Sequence, residues 1–293
     1  MRKGDAGNGF AIPMLSKSTP GSDLNSPWFE RLSPAAKPSL LLLCFPYAGG
    51  SAQIFRKWQR YFPSSIDICL VHLPGRGRRI GERPLTRLAP LVEAIADAIP
   101  EDIQQPFALF GHSLGALISF ELSRELRRRN RKTPLQLFLS GRSAAHMSSS
   151  DAPTYNLPND EFIAEIRRLN GTPQPLLDDP ETQELFLPLL RADFEMADTY
   201  KYFPEDPLAC PLTIYGGLQD TDVPIGNLRA WGSETSGSCK VRVFPGDHFF
   251  IHSSEAGFLN VLQQDVIDAL RKLEQKPENA SISARYDHKC QAG

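Results

Sequence analysis

This 293-residue chain shows no close cysteine pair, no secretory-signal pattern, no membrane-length apolar run and no dominant charge sign, and each absence argues against a class of protein. Its five cysteines (Cys44, Cys69, Cys210, Cys239 and Cys290) are widely spaced, odd in number and without a C-x-x-C pair. They read as neither a disulfide framework nor a zinc motif, so a reducing compartment is expected. Behind the basic residues Arg2 and Lys3 there is no apolar stretch of the ~7 to 15 residues that a secretory signal needs. No run approaches the ~18 to 20 apolar residues of a membrane span. The expectation is a soluble, cytoplasmic protein with no membrane partner. With 32 Lys and Arg against 34 Asp and Glu, the formal net charge is −2 and the pI is about 6.3, so no basic field draws in a nucleic acid. A glycine-rich phosphate loop, a dinucleotide fingerprint and a metal-ligand cluster are absent too.

What is present is an ordinary globular composition, 41% hydrophobic and 23% charged, on a chain long enough to bury a sizeable core. Prolines number 25, more than the usual ~5%, and predict sharp segment boundaries. Short apolar runs alternate with amphipathic stretches: SLLLLCF (39–45), IDICLVHL (66–73), FALFG (107–111), LQLFLSG (135–141), LTIYGG (212–217) and KVRVFPG (240–246). Near-continuous apolar strands imply burial on both faces, and the segments between them space apolar residues by three and four. The rhythm predicts a mostly parallel sheet covered by helices. Residues 1–37 and 276–293 show no periodicity and are expected to be disordered, leaving one domain over 38–275. Within it, residues 145–206 carry helical periodicity but no strand. Such an insertion after a parallel strand is expected to be two or three helices forming a lid over the carboxyl edge of the sheet. Its apolar faces, Phe162, Ile163 and Ile166 with Phe186, Leu189 and Leu190, are expected to pack over the mouth above the nucleophile and to open for substrate.

The chemistry centres on Gly111-His112-Ser113-Leu114-Gly115, a G-x-S-x-G between the strand FALF and the helix LGALISFELSRELRRR. A strand before and a helix after are the setting of a nucleophile elbow, where crowding forbids side chains at 111 and 115 and Ser113 is strained with its hydroxyl exposed. A serine needs a base, and the base needs an orienting acid. Where the order is serine, acid, histidine, three downstream histidines qualify: His146, His248 and His252. His248 stands in a loop at the end of a strand and is preferred; His146 comes too early, and His252 reads as a supporting or surface residue. Asp220 and Asp222 both follow LTIYGG, with Asp220 preferred. Charge developing on a carbonyl oxygen requires N–H donors: the Leu114 amide at a helix N-terminus, and Tyr47 or Ala48 in the loop Phe45-Pro46-Tyr47-Ala48-Gly49-Gly50. His112 is read as shaping the elbow. Arg76, Arg78 and Arg79 are expected on a surface loop, with a phosphate contact as the alternative. ELRRRNRK (125–132) reads as a solvated helix end, with a docking patch for an acidic protein as the alternative.

Six blocks in order, FPYAGGSA (45–52), LPGRGRR (73–79), FGHSLGA (110–116), RADFEMADTY (191–200), YGGLQDTDVP (215–224) with Ala230-Trp231, and FPGDHFFI (244–251), resemble the type II thioesterases. These are stand-alone α/β-hydrolases serving polyketide, nonribosomal peptide and fatty acid synthases, and the resemblance spans about residues 38–273. It implies an α/β-hydrolase fold with a helical lid, and Ser113, Asp220 and His248 as nucleophile, acid and base. It also implies hydrolysis of acyl groups from the phosphopantetheine thiol of acyl or peptidyl carrier proteins, in an editing role. No resident cofactor or metal is implied, and a monomer is expected. Product release in fatty acid synthesis and a silent docking module are the alternative functions. One departure stands out: Asp247, where the family usually has glycine before the histidine.

Overall fold

Each apolar run becomes a strand because its alternate side chains find a buried layer on either side. The computed structural model describes residues 24, 26–34, 38–147, 152–172 and 174–275, the side chains of 175 and 176 excepted. The strands are β1 (Phe29–Arg31), β2 (Leu40–Phe45), β3 (Ile66–Val71), β4 (Phe107–His112), β5 (Leu137–Ser140), β6 (Leu212–Gly217) and β7 (Cys239–Phe244). They form one sheet in the order β1-β3-β2-β4-β5-β6-β7. All pairings are parallel except that of β1 with β3. Leu41, Leu43 and Leu109 point into one core with α1 (Leu88–Ala98) and α2 (Leu114–Arg128). Leu40, Leu42 and Phe110 point into the other, with Trp58 and the long helix α8 (Glu255–Glu274). This period-two division between helical layers is the α/β-hydrolase arrangement expected from the sequence.

The segment expected to lack order up to residue 37 contains β1, which corrects that boundary. Phe29 is buried, and Arg31 Nε lies 2.7 Å from Oδ2 of Asp67, a carboxylate fully buried in β3. Without β1 that charge and the edge of β3 would be unpaired, a costly arrangement. Residues 1–23 and 276–293 lie outside the described residues.

Between β5 and β6 stand three helices, α3 (Asn159–Leu169), α4 (Gln174–Asp178) and α5 (Pro180–Asp198). Asp179 caps α5 by accepting a hydrogen bond from the Thr182 amide at 2.9 Å, with Pro180 at the first helical position, a pairing that favours helix initiation there. The apolar faces of this insertion divide: Phe186 and Leu190 of α5 lie against Gly49 in the loop after β2, whereas the face of α3 does not turn to the mouth as expected. Phe162, Ile163 and Ile166 pack with Leu177, Leu187 and Leu190 in a third, separate core. The stripe of α3 has found its partner within the insertion, which hides it from water.

The basic run 125–132 is consumed internally. Arg127 and Arg128 pair with Glu205, Arg129 with Asp97 and Glu125. Arg131 donates to the carbonyls of Ala96 and Ile99, and Lys132 to those of Ile103, Gln104 and Gln105. The solvated helix end is thus a clamp on neighbouring loops, with its charges already partnered.

Candidate active site

The elbow is built by steric necessity. A Cβ on Gly111 would lie 2.0 Å from the carbonyl oxygen of Gly115, and one on Gly115 would lie 2.2 Å from that of Phe45, far inside contact distance. Ser113 itself adopts φ 52°, ψ −113°, a conformation costing on the order of 1–3 kcal/mol. It is held there by its amide, which donates to the Ser140 carbonyl at 2.7 Å, and by its carbonyl, which accepts from Ala116 at 3.0 Å. Strain at an observed outlier, fixed by neighbours on both sides, is the signature of a side chain presented for use.

The structure brings Asp220 to His248 across 28 residues of chain. Nδ1–H of His248 donates to Oδ2 of Asp220 at 2.8 Å, while Oδ1 accepts from the amides of Asp222 and Val223 at 3.0 and 3.1 Å. Burial alone would raise the Asp220 pKa; the His248 contact and the two amides outweigh it and hold the carboxyl below its ordinary value. Asp222 turns away and accepts from Arg168 of α3 at 2.9 Å. His146 is occupied with Glu234 at 2.6 Å. His252 Nε2 sits 3.0 Å from the Tyr47 hydroxyl, which makes it a support of the loop after β2.

His112 is 0% exposed, packed against the rings of Tyr47, His248, Phe249 and Phe250, with Nδ1 2.9 Å from Oγ of Ser140. Burial first, and the nearby His248 and His252 second, push its pKa well below 6.5. It is a neutral spacer under the elbow, as its reading from sequence anticipated.

In the loop after β2, the amide of Gly50 donates to the Tyr47 carbonyl at 2.9 Å and that of Gly49 to Asp193 at 2.7 Å. The Tyr47 and Ala48 amides have no hydrogen-bond partner among the described residues. The Leu114 amide is first in α2, one of the four N–H groups that a helix N-terminus leaves unpaired.

Three features were not read from sequence. Arg76, expected on a surface loop, is buried and bidentate to Asp193 at 2.6 and 2.7 Å; Arg79 is buried over the Trp28 ring and paired with Glu82. Burial corrects the surface expectation for both, and their guanidinium groups are taken up by carboxylates. Asp193 was visible only as one of three acids in RADFEMADTY. Asp247 accepts from the Phe249 amide at 2.9 Å and from Nδ2 of Asn170 at 3.1 Å, so the unusual acid ties its own turn and touches the end of α3.

Comparison with known proteins agrees with this geometry. The thioesterase-domain family matches residues 41–266. The chain is 43% identical over 228 residues to the gramicidin S biosynthesis protein GrsT of Aneurinibacillus migulanus, covering 78% of this chain and 89% of that protein. It is 41% identical to a Brevibacillus parabrevis protein named linear gramicidin dehydrogenase LgrE, over 81% of this chain and 92% of that one. Among solved structures, YbtT, the type II thioesterase from the yersiniabactin NRPS/PKS biosynthetic pathway, superposes with a TM-score of 0.73 at 30% identity, covering 83% of this chain and 99% of that one. The sheet order, the elbow and this family match lead to one identification: the chain belongs to the thioesterase family, and within it to the type II thioesterases.

Proposed function

We propose that this thioesterase hydrolyses acyl groups carried on the phosphopantetheine thiol of carrier-protein domains, and that it serves an assembly line by removing stalled or wrongly loaded acyl or aminoacyl groups. The observation that carries the chemistry is the Asp220–His248 hydrogen bond at 2.8 Å, with the His248 ring packed against His112, the chain neighbour of the strained Ser113. In that pairing Nδ1 of His248 keeps its proton, and Nε2 is the basic nitrogen. Nε2 takes the proton from Ser113 Oγ as the oxygen attacks the thioester carbon. The tetrahedral oxyanion is met by the Leu114 amide and by that of Tyr47 or Ala48. Collapse forms an acyl-serine and breaks the C–S bond, and the departing thiolate takes the proton from His248. Water, deprotonated by the same Nε2, then attacks the ester carbon; the C–O bond to Ser113 breaks, Oγ takes the proton back from His248, and the acid is freed. Asp220 stays ionised throughout and stabilises the imidazolium.

Support for the carrier-bound substrate comes from relatives named for peptide and polyketide pathways; support for editing comes from the stand-alone form of the resemblance. The acid and base act as a unit with the nucleophile, so Ser113→Ala and His248→Ala should each lower kcat on acetyl-carrier protein by roughly 10³-fold or more. Asp222→Asn and His252→Ala should change it far less. Equal hydrolysis by the native protein and Ser113→Ala removes the serine mechanism. Severe loss in Asp222→Asn beside a mild Asp220→Asn would reassign the acid. Short acyl and aminoacyl carriers turning over faster than long ones is the result expected for editing; the reverse order indicates product release.

A further inference from the structure

Asp193 lies 117 residues from Arg76 in sequence and is 0% exposed, with Arg76 at 5%. Two charges taken this far from water must find full partnership or be eliminated. Here the carboxylate receives three hydrogen bonds. Two come from the Arg76 guanidinium at 2.6 and 2.7 Å. The third comes from the Gly49 amide at 2.7 Å, so one carboxylate oxygen is shared between an ion pair and the backbone of the loop after β2. Arg76 Nη1 also approaches the Gly50 carbonyl at 3.4 Å, holding the same loop from its other side. Gly49 has φ +75°, and a Cβ there would lie 2.5 Å from Cδ2 of Leu190 and 3.4 Å from the ring of Phe186. Phe186, Leu190 and Asp193 follow at spacings of four and three on α5, which sets them on one helix face. That face rests on the glycine, and its acid grips the glycine's amide.

We propose that Asp193, held by Arg76, is the positioning residue of the oxyanion hole: it fixes the Gly49 amide from the insertion helix and so sets the direction of the neighbouring Tyr47 and Ala48 amides. The proposal rests on the serine mechanism above. The ion pair supplies rigidity, and the hydrogen bond to Gly49 supplies alignment. These two contributions separate experimentally, because an amide oxygen can replace the second without restoring the first.

The test uses the full-length protein with an acyl-carrier substrate and an alkylboronic acid, whose adduct on Ser113 Oγ places an oxygen where the oxyanion would form. Asp193→Ala should lower kcat roughly 10- to 100-fold, since a misplacement of ~1 Å at the reacting centre costs that much. KM should stay within about 3-fold, and boronate affinity should fall in step with kcat. The double variant Arg76→Met with Asp193→Asn removes both charges yet keeps an oxygen for the Gly49 amide, and should retain kcat within about 5-fold of native. A merely structural ion pair predicts the opposite, namely that the double variant loses activity as Asp193→Ala does. If Asp193→Ala fails to fold, the double variant and its boronate affinity still decide. The coupling is overturned if Asp193→Ala keeps kcat within about 3-fold while Ser113→Ala is inactive, or if the double variant is as damaged as the single one. An active Ser113→Ala instead removes the serine mechanism, and this inference with it.

Discussion

The two halves of the helical insertion are attached to the rest of the molecule by different physics. α5 is joined through a buried ion pair and an apolar face set against Gly49. α3 reaches the loops after β6 and β7 at its exposed C-terminal end, by the polar contacts of Arg168 to Asp222 and Asn170 to Asp247 and by the approach of Gly171 to the Phe249 ring, and is otherwise packed within the insertion in the third core. Exposed pairs of this kind contribute ~0–1 kcal/mol, whereas removing one partner of a buried pair costs about 3–5 kcal/mol. The insertion is therefore a fixed wall on one side and a weak seam on the other. Any opening that admits a prosthetic arm is expected along the seam between α3 and the loops bearing Asp220 and His248.

Breaking the strong side gives the largest expected change. Arg76→Ala leaves the Asp193 carboxylate buried without its cation and should destabilise the fold by about 3–5 kcal/mol, read from denaturant midpoints at unchanged slope. A loss below ~1 kcal/mol would mean that α5 is held by apolar packing alone.

The elbow should add a pH dependence that neither half of the insertion shares. His112 has its pKa pushed well below 6.5 in the fold, so on acidification the unfolded chain takes up a proton that the folded state refuses. The stability contributed by neutral His112 is complete above about pH 6.5 and is lost as the pH falls below it. His72 and His252 are shifted in the same direction, chiefly by burial. The share of His112 is therefore the difference from His112→Asn, whose melting temperature should fall less between pH 7 and pH 5. Parallel pH curves for the two proteins would contradict the assignment.

The smallest effect is expected at the seam. Arg168→Ala should cost less than about 1 kcal/mol, yet amide exchange should quicken over residues 165–170 while α5 from Leu187 to Met196 stays as protected as the sheet. Uniform protection across both helices would erase the distinction between wall and seam.

Much of this was legible in the chain. The strands β2 to β6 are near-continuous apolar runs buried on both faces, whereas β7, with Lys240 and Arg242, alternates and is largely half-buried. Ser113 was marked by its glycines and its strand-to-helix setting, and Asp220 and His248 by their place at strand ends. β1 was not legible because only Phe29 of its three residues is deeply buried and its reason for existing, Asp67, lies in another strand. The Arg76–Asp193 pair was hidden for a similar reason: a contact spanning 117 residues leaves no local periodicity. The apolar faces of α3 and α5 were visible, but a stripe does not name its partner: that of α3 is met within the insertion, while Phe186 and Leu190 of α5 meet Gly49.

The serine mechanism predicts a covalent intermediate, and its most direct test is peptide mass mapping after rapid quenching of the protein with an acyl-carrier substrate. An added acyl mass is expected on the peptide containing Ser113, forming and decaying within turnover and absent in Ser113→Ala. Turnover with no acyl mass on that peptide, or with the acyl group on another residue, would contradict it.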